Sequence, residues 1–251
     1  MFGVKRLVLA VAITLLSAVA GAGSKPVVPL VLAFSPLPPW KVIDAAGAPS
    51  GPYLQIMQQL ARRLSTPLQV RTCPLLRCLE LLRRGEADFG IGVAPGPGRD
   101  EVLDFLQPAF AAGSAIGFYR RSGDRTAVEA YSDLSALRIG ATRGARYFPR
   151  FDQDVRLQKD YAPDKLSNLR KLLAGRIDVA IMLCGEADIL LASPEFHRKI
   201  QLAGPVIGTG PRYVVLSRTS RAYPEKLRIE ASLRQMVMSG EIARLLRPVE
   251  H

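Results

Sequence analysis

From Tyr53 onward the apolar residues Leu54, Met57, Leu60, Ala61 and Leu64 recur at helical spacing. Gln58, Gln59, Arg62 and Arg63 occupy the other side, which predicts an amphipathic helix. The flanking segments read differently. Pro26 to Phe34 is rich in Val and Leu and ends in Ser-Pro-Leu-Pro-Pro-Trp, a buried strand feeding a rigid, aromatic-tipped loop. Gly47, Gly51 and Pro52 mark a turn. Leu68-Gln69-Val70-Arg71 alternates as a strand does, Leu79 to Arg84 predicts a short helix, and Ala87 to Val93 an apolar strand. This βαβαβ order is that of a sheet with helices on its faces.

Pro95 to Gly98 breaks the pattern, and Ala112 to Tyr119 is an extended run. A second series then begins with a strand from Leu137 to Ala141 and a turn at Arg143-Gly144. It continues with a strand near Val155 to Leu157, a helix from Asp164 to Leu173 and a strand from Ile177 to Leu183. This series predicts a second lobe. Pro205 to Pro211 is rich in Gly and Pro, Tyr213 to Leu216 reads as a strand, and Glu225 to Leu246 as one helix with Leu227, Ile229, Leu233, Met236 and Met238 mostly inward. There is no internal repeat and no low-complexity tract.

The chain has 251 residues, 48% of them hydrophobic and 22% charged, a composition that excludes disorder as its main state and allows one or two domains. Its first 22 residues carry a basic start at Lys5 and Arg6, an apolar run from Leu7 to Leu16, and the small residues Ala18-Val19-Ala20 and Ala20-Gly21-Ala22. This reads as a secretory signal cut after Ala20 or Ala22, since the alternative, a membrane anchor, falls short of the roughly 20 apolar residues of a span. Export places the mature chain in the periplasm, with a net charge of +10 in place of +12 once Lys5 and Arg6 are gone. In an oxidising compartment Cys73 and Cys78, at a strand end and in a first helical turn, are placed for a short disulfide. A metal site there lacks a second ligand pair, and Cys184 reads as a buried small hydrophobe.

Gly85-Glu86-Ala87-Asp88 followed by Arg99, Asp104, Phe105 and Pro108 resembles the R-x4-D-F-x2-P block of the extracellular solute-binding proteins of family 3, the amino-acid-binding type. Leu173-Ala174-Gly175-Arg176-Ile177-Asp178 is similar to that family's L-x-G-R-x-D, and Tyr213 to Ser217 and Ser239-Gly240-Glu241 resemble its closing strand and final helix. The resemblance implies an α/β, two-lobe periplasmic-binding-protein-like (type II) fold with two crossing hinge strands. Lobe 1 would comprise 23–112 and 212–251, and lobe 2 would comprise 113–211. It implies a ligand held between the lobes and delivered to an ABC-transporter permease or a membrane sensor, by a monomer without cofactor or metal.

Within that fold Arg99 offers a planar fork to a carboxylate beside Ala94, and Arg146 stands where a small hydroxyl residue is usual. Trp40 and Tyr53 are the expected ligand walls, ahead of Phe34 and Tyr147. Two departures shape the ligand expected. Leu183 replaces an Asp that often meets an α-amino group, and Gly92 to Pro95 replaces Ser or Thr donors. The carboxylate clamp is kept and the ammonium partner lost, so the expected ligand is an organic anion or a modified amino acid.

An enzyme reading stands beside this one. The sequence also resembles periplasmic cyclohexadienyl dehydratases, in lobe order and in Glu186, eleven residues after Gly175, where those enzymes place an acidic catalytic residue. Their preceding Thr-Asp is Met182-Leu183 here. No Ser/His/Asp set, Walker-type loop or metal-ligand cluster is present. The pairs Arg62-Arg63, Arg83-Arg84 and Arg120-Arg121 are scattered over different elements, which argues against a nucleic-acid partner.

Overall fold

The computed structural model describes residues 28–247, so the signal segment expected at 1–22 lies outside the described residues. Strand β1 (Leu30–Phe34) is buried almost throughout, as a parallel strand covered on both faces must be. A small hairpin, β2 (Val42–Ile43) and β3 (Pro49–Ser50), leads to α1 (Pro52–Arg63). This helix starts on a proline, whose fixed φ suits the first helical position, and buries the apolar side read from the sequence. Then follow β4 (Leu68–Thr72), α2 (Leu75–Arg83), β5 (Phe89–Val93) and β6 (Leu103–Phe105).

The chain next forms β7 (Ala115–Arg121), β8 (Arg138–Thr142), α3 (Pro149–Gln153), β9 (Gln158–Ala162) and α4 (Lys165–Leu173). It continues through β10 (Val179–Leu183), α5 (Cys184–Leu191), β11 (Ile200–Leu202) and β12 (Ile207–Gly208). Finally β13 (Tyr213–Ser217) returns to the first sheet, and α6 (Lys226–Met238) and α7 (Glu241–Leu246) pack on α1. The first sheet has the order β4-β1-β5-β13-β6, and the second β11-β7-β10-β8-β9 with β12 also paired to β7.

Both lobes use one device between helix and strand. Gly85 and Gly175 take φ of 70° and 69°, which ends α2 and α4. Three residues later, Asp88 accepts the Val31 N–H at 2.7 Å and Asp178 the Arg138 N–H at 2.8 Å, each tying the incoming strand to its parallel neighbourhood.

The two connections between the sheets pair with each other. The N–H of Phe110 donates to the Arg212 carbonyl at 3.0 Å, that of Arg212 to Ala111 at 2.9 Å, and that of Thr209 to Ser114 at 2.9 Å. Gly113 lies in this crossing, where a Cβ would stand 1.7 Å from the Thr209 carbonyl oxygen. Only glycine fits.

Three sequence expectations need correction. The strand near Val155 to Leu157 is instead β9, and Val155 is 93% exposed in the turn before it. The final helix is two helices, broken where Gly240 adopts φ 68°. Ile229, Leu233 and Met236 form the inner face of α6, and Leu227 and Met238, two positions off that stripe at either end, point to solvent. Helix α2 begins a turn earlier than Leu79, which leaves Cys78 in its first turn. Helix α5 is foreshadowed only by Glu186 as a helix-start carboxylate, since its apolar residues continue β10 without a period of their own.

Candidate functional site

Between the sheets lies a cleft of about 670 Å³. Its first-lobe wall comes from the loop after β1, the loop after β4 and the turn after β5; its second-lobe wall comes from the loop after β8 and the first turns of α4 and α5. Loops at the ends of parallel strands leave backbone groups free for a ligand, and helix starts add N–H donors.

Arg99 is buried in the turn after β5. Its Nη1 donates to the Ala94 carbonyl at 2.6 Å and its Nη2 crosses to the second lobe, to the Gly144 carbonyl, at 2.6 Å. Burial, then the charge of Arg146, lowers its pKa to about 10, so it stays charged at neutral pH. A guanidinium has five N–H donors, which leaves Arg99 donors for a ligand beyond those two bonds. Arg146 extends the other way. Its Nε lies where a Cβ on Gly96 would be 3.2 Å off, and this buried Nε has no hydrogen-bond partner among the described residues.

Thr142 ends β8 with its N–H donating to the Tyr147 hydroxyl oxygen at 2.9 Å. Its buried Oγ1 lines the cleft without a partner among the described residues. Tyr147 is fixed in turn by its own N–H, which donates to both oxygens of Asp152 at 3.1 Å. Burial pushes the Tyr147 hydroxyl up to about 12.

A second charged group lies deeper. Glu186, in the first turn of α5, is buried and ion-paired to Lys165, in the first turn of α4, at 2.8 Å. Burial pushes the Glu186 carboxyl above its usual range, against the pull of Lys165, Lys41 and Arg212. Lys41 faces this pair from the first lobe. Arg212 sits at the crossing, where its Nη2 donates to the Thr209 hydroxyl at 3.0 Å.

Of the residues expected at the site, Ala94, Arg99, Arg146 and Glu186 line the cleft. Trp40 and Tyr53 do not. Tyr53 packs edge-on against Phe110, ring centroids 4.9 Å apart, directly behind Gly92 of β5. Trp40 turns its ring toward Gly185 of the second lobe. Their large apolar area is better buried than offered to a wet cleft, and Tyr147 is the aromatic that reaches the ligand space. Cys73 and Cys78 form the expected disulfide, Cα atoms 5.5 Å apart, and Cys73 lines the cleft mouth. Cys184 is free and only half-buried. The sequence reading missed Lys41, Thr142, Lys165 and Arg212. Each looks like an ordinary polar residue until the loops bring it inward.

Two α/β lobes, paired crossing segments and an interlobe cleft define a two-lobe binding protein of the type II periplasmic-binding-protein fold. The chain belongs to the bacterial extracellular solute-binding proteins, family 3, whose model matches residues 30–248. Among solved structures, a histidine kinase sensor domain with similarity to periplasmic binding proteins has a TM-score of 0.76 at 16% identity, covering 88% of this chain and 96% of its own. An ancestral arginine-binding protein bound to arginine gives 0.73 at 18% identity, covering 89% and 98%. The GluR0 ligand-binding core from Nostoc punctiforme, in complex with L-glutamate, gives 0.70 at 16%, covering 88% and 99%. No curated protein sequence matches the chain significantly. The family and these neighbours are binding proteins or sensor domains.

Proposed function

We propose that this is a periplasmic solute-binding protein that closes its lobes, divided near 112/113 and 211/212, over a small carboxylate-bearing ligand, amino-acid-like or an organic anion. It then presents the closed form to an ABC-transporter permease or a membrane sensor. One observation carries the reading. Five basic side chains line the cleft (Lys41, Arg99, Arg146, Lys165 and Arg212), and of these five only Lys165 has a described carboxylate within ion-pair distance. Unpaired buried charge is costly, so the cleft is built to receive an anion. Arg99, Arg146 and Thr142 supply converging donors for a carboxylate, and closure strengthens these contacts by excluding water.

The arginine bound by several structural neighbours is disfavoured here. Its net positive charge would meet this basic lining, and of the two carboxylates that line the cleft, Glu186 is held by Lys165 and Asp164 accepts the Ser167 N–H at 2.7 Å. A thermal-shift panel of amino acids and small carboxylic acids tests the reading, because a ligand that binds only the folded form raises Tm. Stabilisation by carboxylates is expected; a panel without any shift overturns it.

Burial of Glu186 with a weakened acidity is also what a general acid needs, which favours a dehydratase-like second reading. Incubation with arogenate or prephenate separates the two. Formation of an aromatic product would establish the enzyme.

A further inference from the structure

Lys41 is 4% exposed, lies on the cleft wall, and is held there by two neutral acceptors. Its Nζ donates to the Ser35 hydroxyl at 3.2 Å and to the Ile91 carbonyl at 3.0 Å. The backbone places it firmly, since Leu37 and Lys41 exchange N–H to carbonyl bonds at 2.9 Å in both directions and fold the proline loop back on itself. An ammonium has three N–H donors, so one remains for a ligand. No described carboxylate lies within ion-pair distance of Nζ. The charged groups facing it are Lys165 from α4 and Glu186 from α5, and Glu186 is held by Lys165 at 2.8 Å, with Arg212 beyond it.

We propose that Lys41 anchors a second acidic group of the ligand, so that the ligand class is a short dicarboxylate, an acidic amino acid or a dicarboxylic acid, with its first carboxylate at Arg99 and Arg146. This rests on the carboxylate-binding reading above and narrows it. The spacing supports it. Lys41 hangs on the carbonyl of Ile91 and Arg99 on that of Ala94, three residues along the same strand end, no more than about 10 Å of extended chain. One small molecule can therefore reach both. The competing occupants of the Lys41 end fit less well. A ligand ammonium would face both Lys41 and Lys165, and a neutral acceptor would give the remaining Nζ donor a weaker bond than a carboxylate does.

Binding by this route has a signature that simple carboxylate capture lacks. Burial, and then Lys165, lower the Lys41 pKa to about 7. An arriving carboxylate restores the charged form, so above neutral pH docking must take up a proton.

Isothermal titration of the purified full chain tests this, using succinate, L-glutamate and 2-oxoglutarate against butyrate and L-norvaline. Titrations run in two buffers of different ionisation enthalpy at about pH 6 and about pH 8.5. Dicarboxylates are expected to bind at least about tenfold more tightly than the monocarboxylates, with proton uptake at the higher pH. Lys41→Met should erase that preference and the proton uptake; Lys41→Arg, permanently charged, should keep the preference without the uptake. A normal apo melting curve for Lys41→Met guards against a folding artefact there, and Lys41→Arg, which keeps the charge, tests the same prediction independently. Equal binding of mono- and dicarboxylates, or a dicarboxylate preference indifferent to Lys41→Met, overturns this inference and leaves the carboxylate reading standing. Failure of every acid to bind overturns both.

Discussion

The guanidinium of Arg99 in the first lobe donates across the cleft to the carbonyl oxygen of Gly144 in the second, at 2.6 Å. Two residues beyond Gly144, Arg146 reaches back over Gly96 of the first lobe. The two arginines thus pass each other across the cleft. Arg99 is held by the second lobe's backbone, and Arg146 lies against Gly96 of the first without a backbone bond for its Nε, so both arginines sit at the lobe boundary.

Arg99→Ala should weaken binding of a carboxylate ligand by about 10- to 100-fold, the worth of a charge-assisted hydrogen-bond pair. It should also widen the mean lobe separation, because the bond to Gly144 goes with it. Titration calorimetry reads the first effect and small-angle scattering the second. Arg99→Lys should rescue little, since a single ammonium cannot bridge Ala94, Gly144 and a ligand as a planar fork does. Wild-type affinity in Arg99→Ala would remove Arg99 from the site.

The disulfide clips the end of β4 to the first turn of α2, and Cys73, Pro74 and Leu75 between them line the cleft. Closing so short a loop restricts the unfolded chain by about 2 kcal/mol. Cys73→Ser, or reduction of the wild type, should lower the unfolding free energy by that amount, read as a lower denaturant midpoint at unchanged m. It should also reduce affinity, because the cleft mouth loses its tether. A midpoint insensitive to reductant would show that the bridge contributes nothing.

The fold was legible where burial imposes a period. The stripe of α1 could be read directly, whereas Gly85-Asp88 and Gly175-Asp178 entered only as parts of a family resemblance and prove in the structure to be one turn used twice. Beyond Glu186 at its start, helix α5 could not be read, because a segment apolar on most sides has no period. The sequence pointed to Arg99 and Arg146 through the family resemblance, and the turns after β5 and β8 bring both to the cleft wall. Lys41 was not, since a lysine after a Pro-Pro-Trp loop reads as surface charge until the Leu37 to Lys41 bridge turns it inward. Trp40 and Tyr53 misled for the converse reason. Proximity to a turn does not outweigh the gain from burying a large ring.

Lys41 also imposes a pH dependence on the ligand-free protein. Its folded pKa is about 7 against an ordinary value near 10.5. Between those values the unfolded chain holds a proton that the folded chain has released, so unfolding takes up a proton and stability rises with pH across that window. Below about pH 7 both states are protonated, and the cost of burying the charge is felt in full. The contribution of this one group has a slope of up to about 1.4 kcal/mol per pH unit. Urea unfolding at a series of pH values should show the difference between wild type and Lys41→Met moving in favour of the wild type as pH increases through the window. A difference flat with pH would mean that Lys41 stays charged when buried.

At the interlobe crossing, Gly113→Ala should be among the costliest single-methyl additions in the chain. The new Cβ would stand 1.7 Å from the Thr209 carbonyl oxygen and 2.4 Å from its carbon, and these are backbone atoms that no rotamer change can withdraw. The same two segments are bound by the Ser114 N–H to the Thr209 hydroxyl at 2.9 Å and by that hydroxyl to the Ser114 carbonyl at 2.7 Å, so parting them breaks these contacts too. A loss of about 1–3 kcal/mol or more in unfolding free energy is expected, with the lobes re-angled about the crossing. Gly208→Ala is the matched control, since its Cβ would meet nothing within 4 Å; it should fall within about 0.5 kcal/mol of wild type. Thermal unfolding of the two variants, with small-angle scattering of each, distinguishes a hinge that requires glycine at the crossing from one that merely contains it. Equal stability and equal scattering would show that the connections can part without cost and that the lobes are not hinged there.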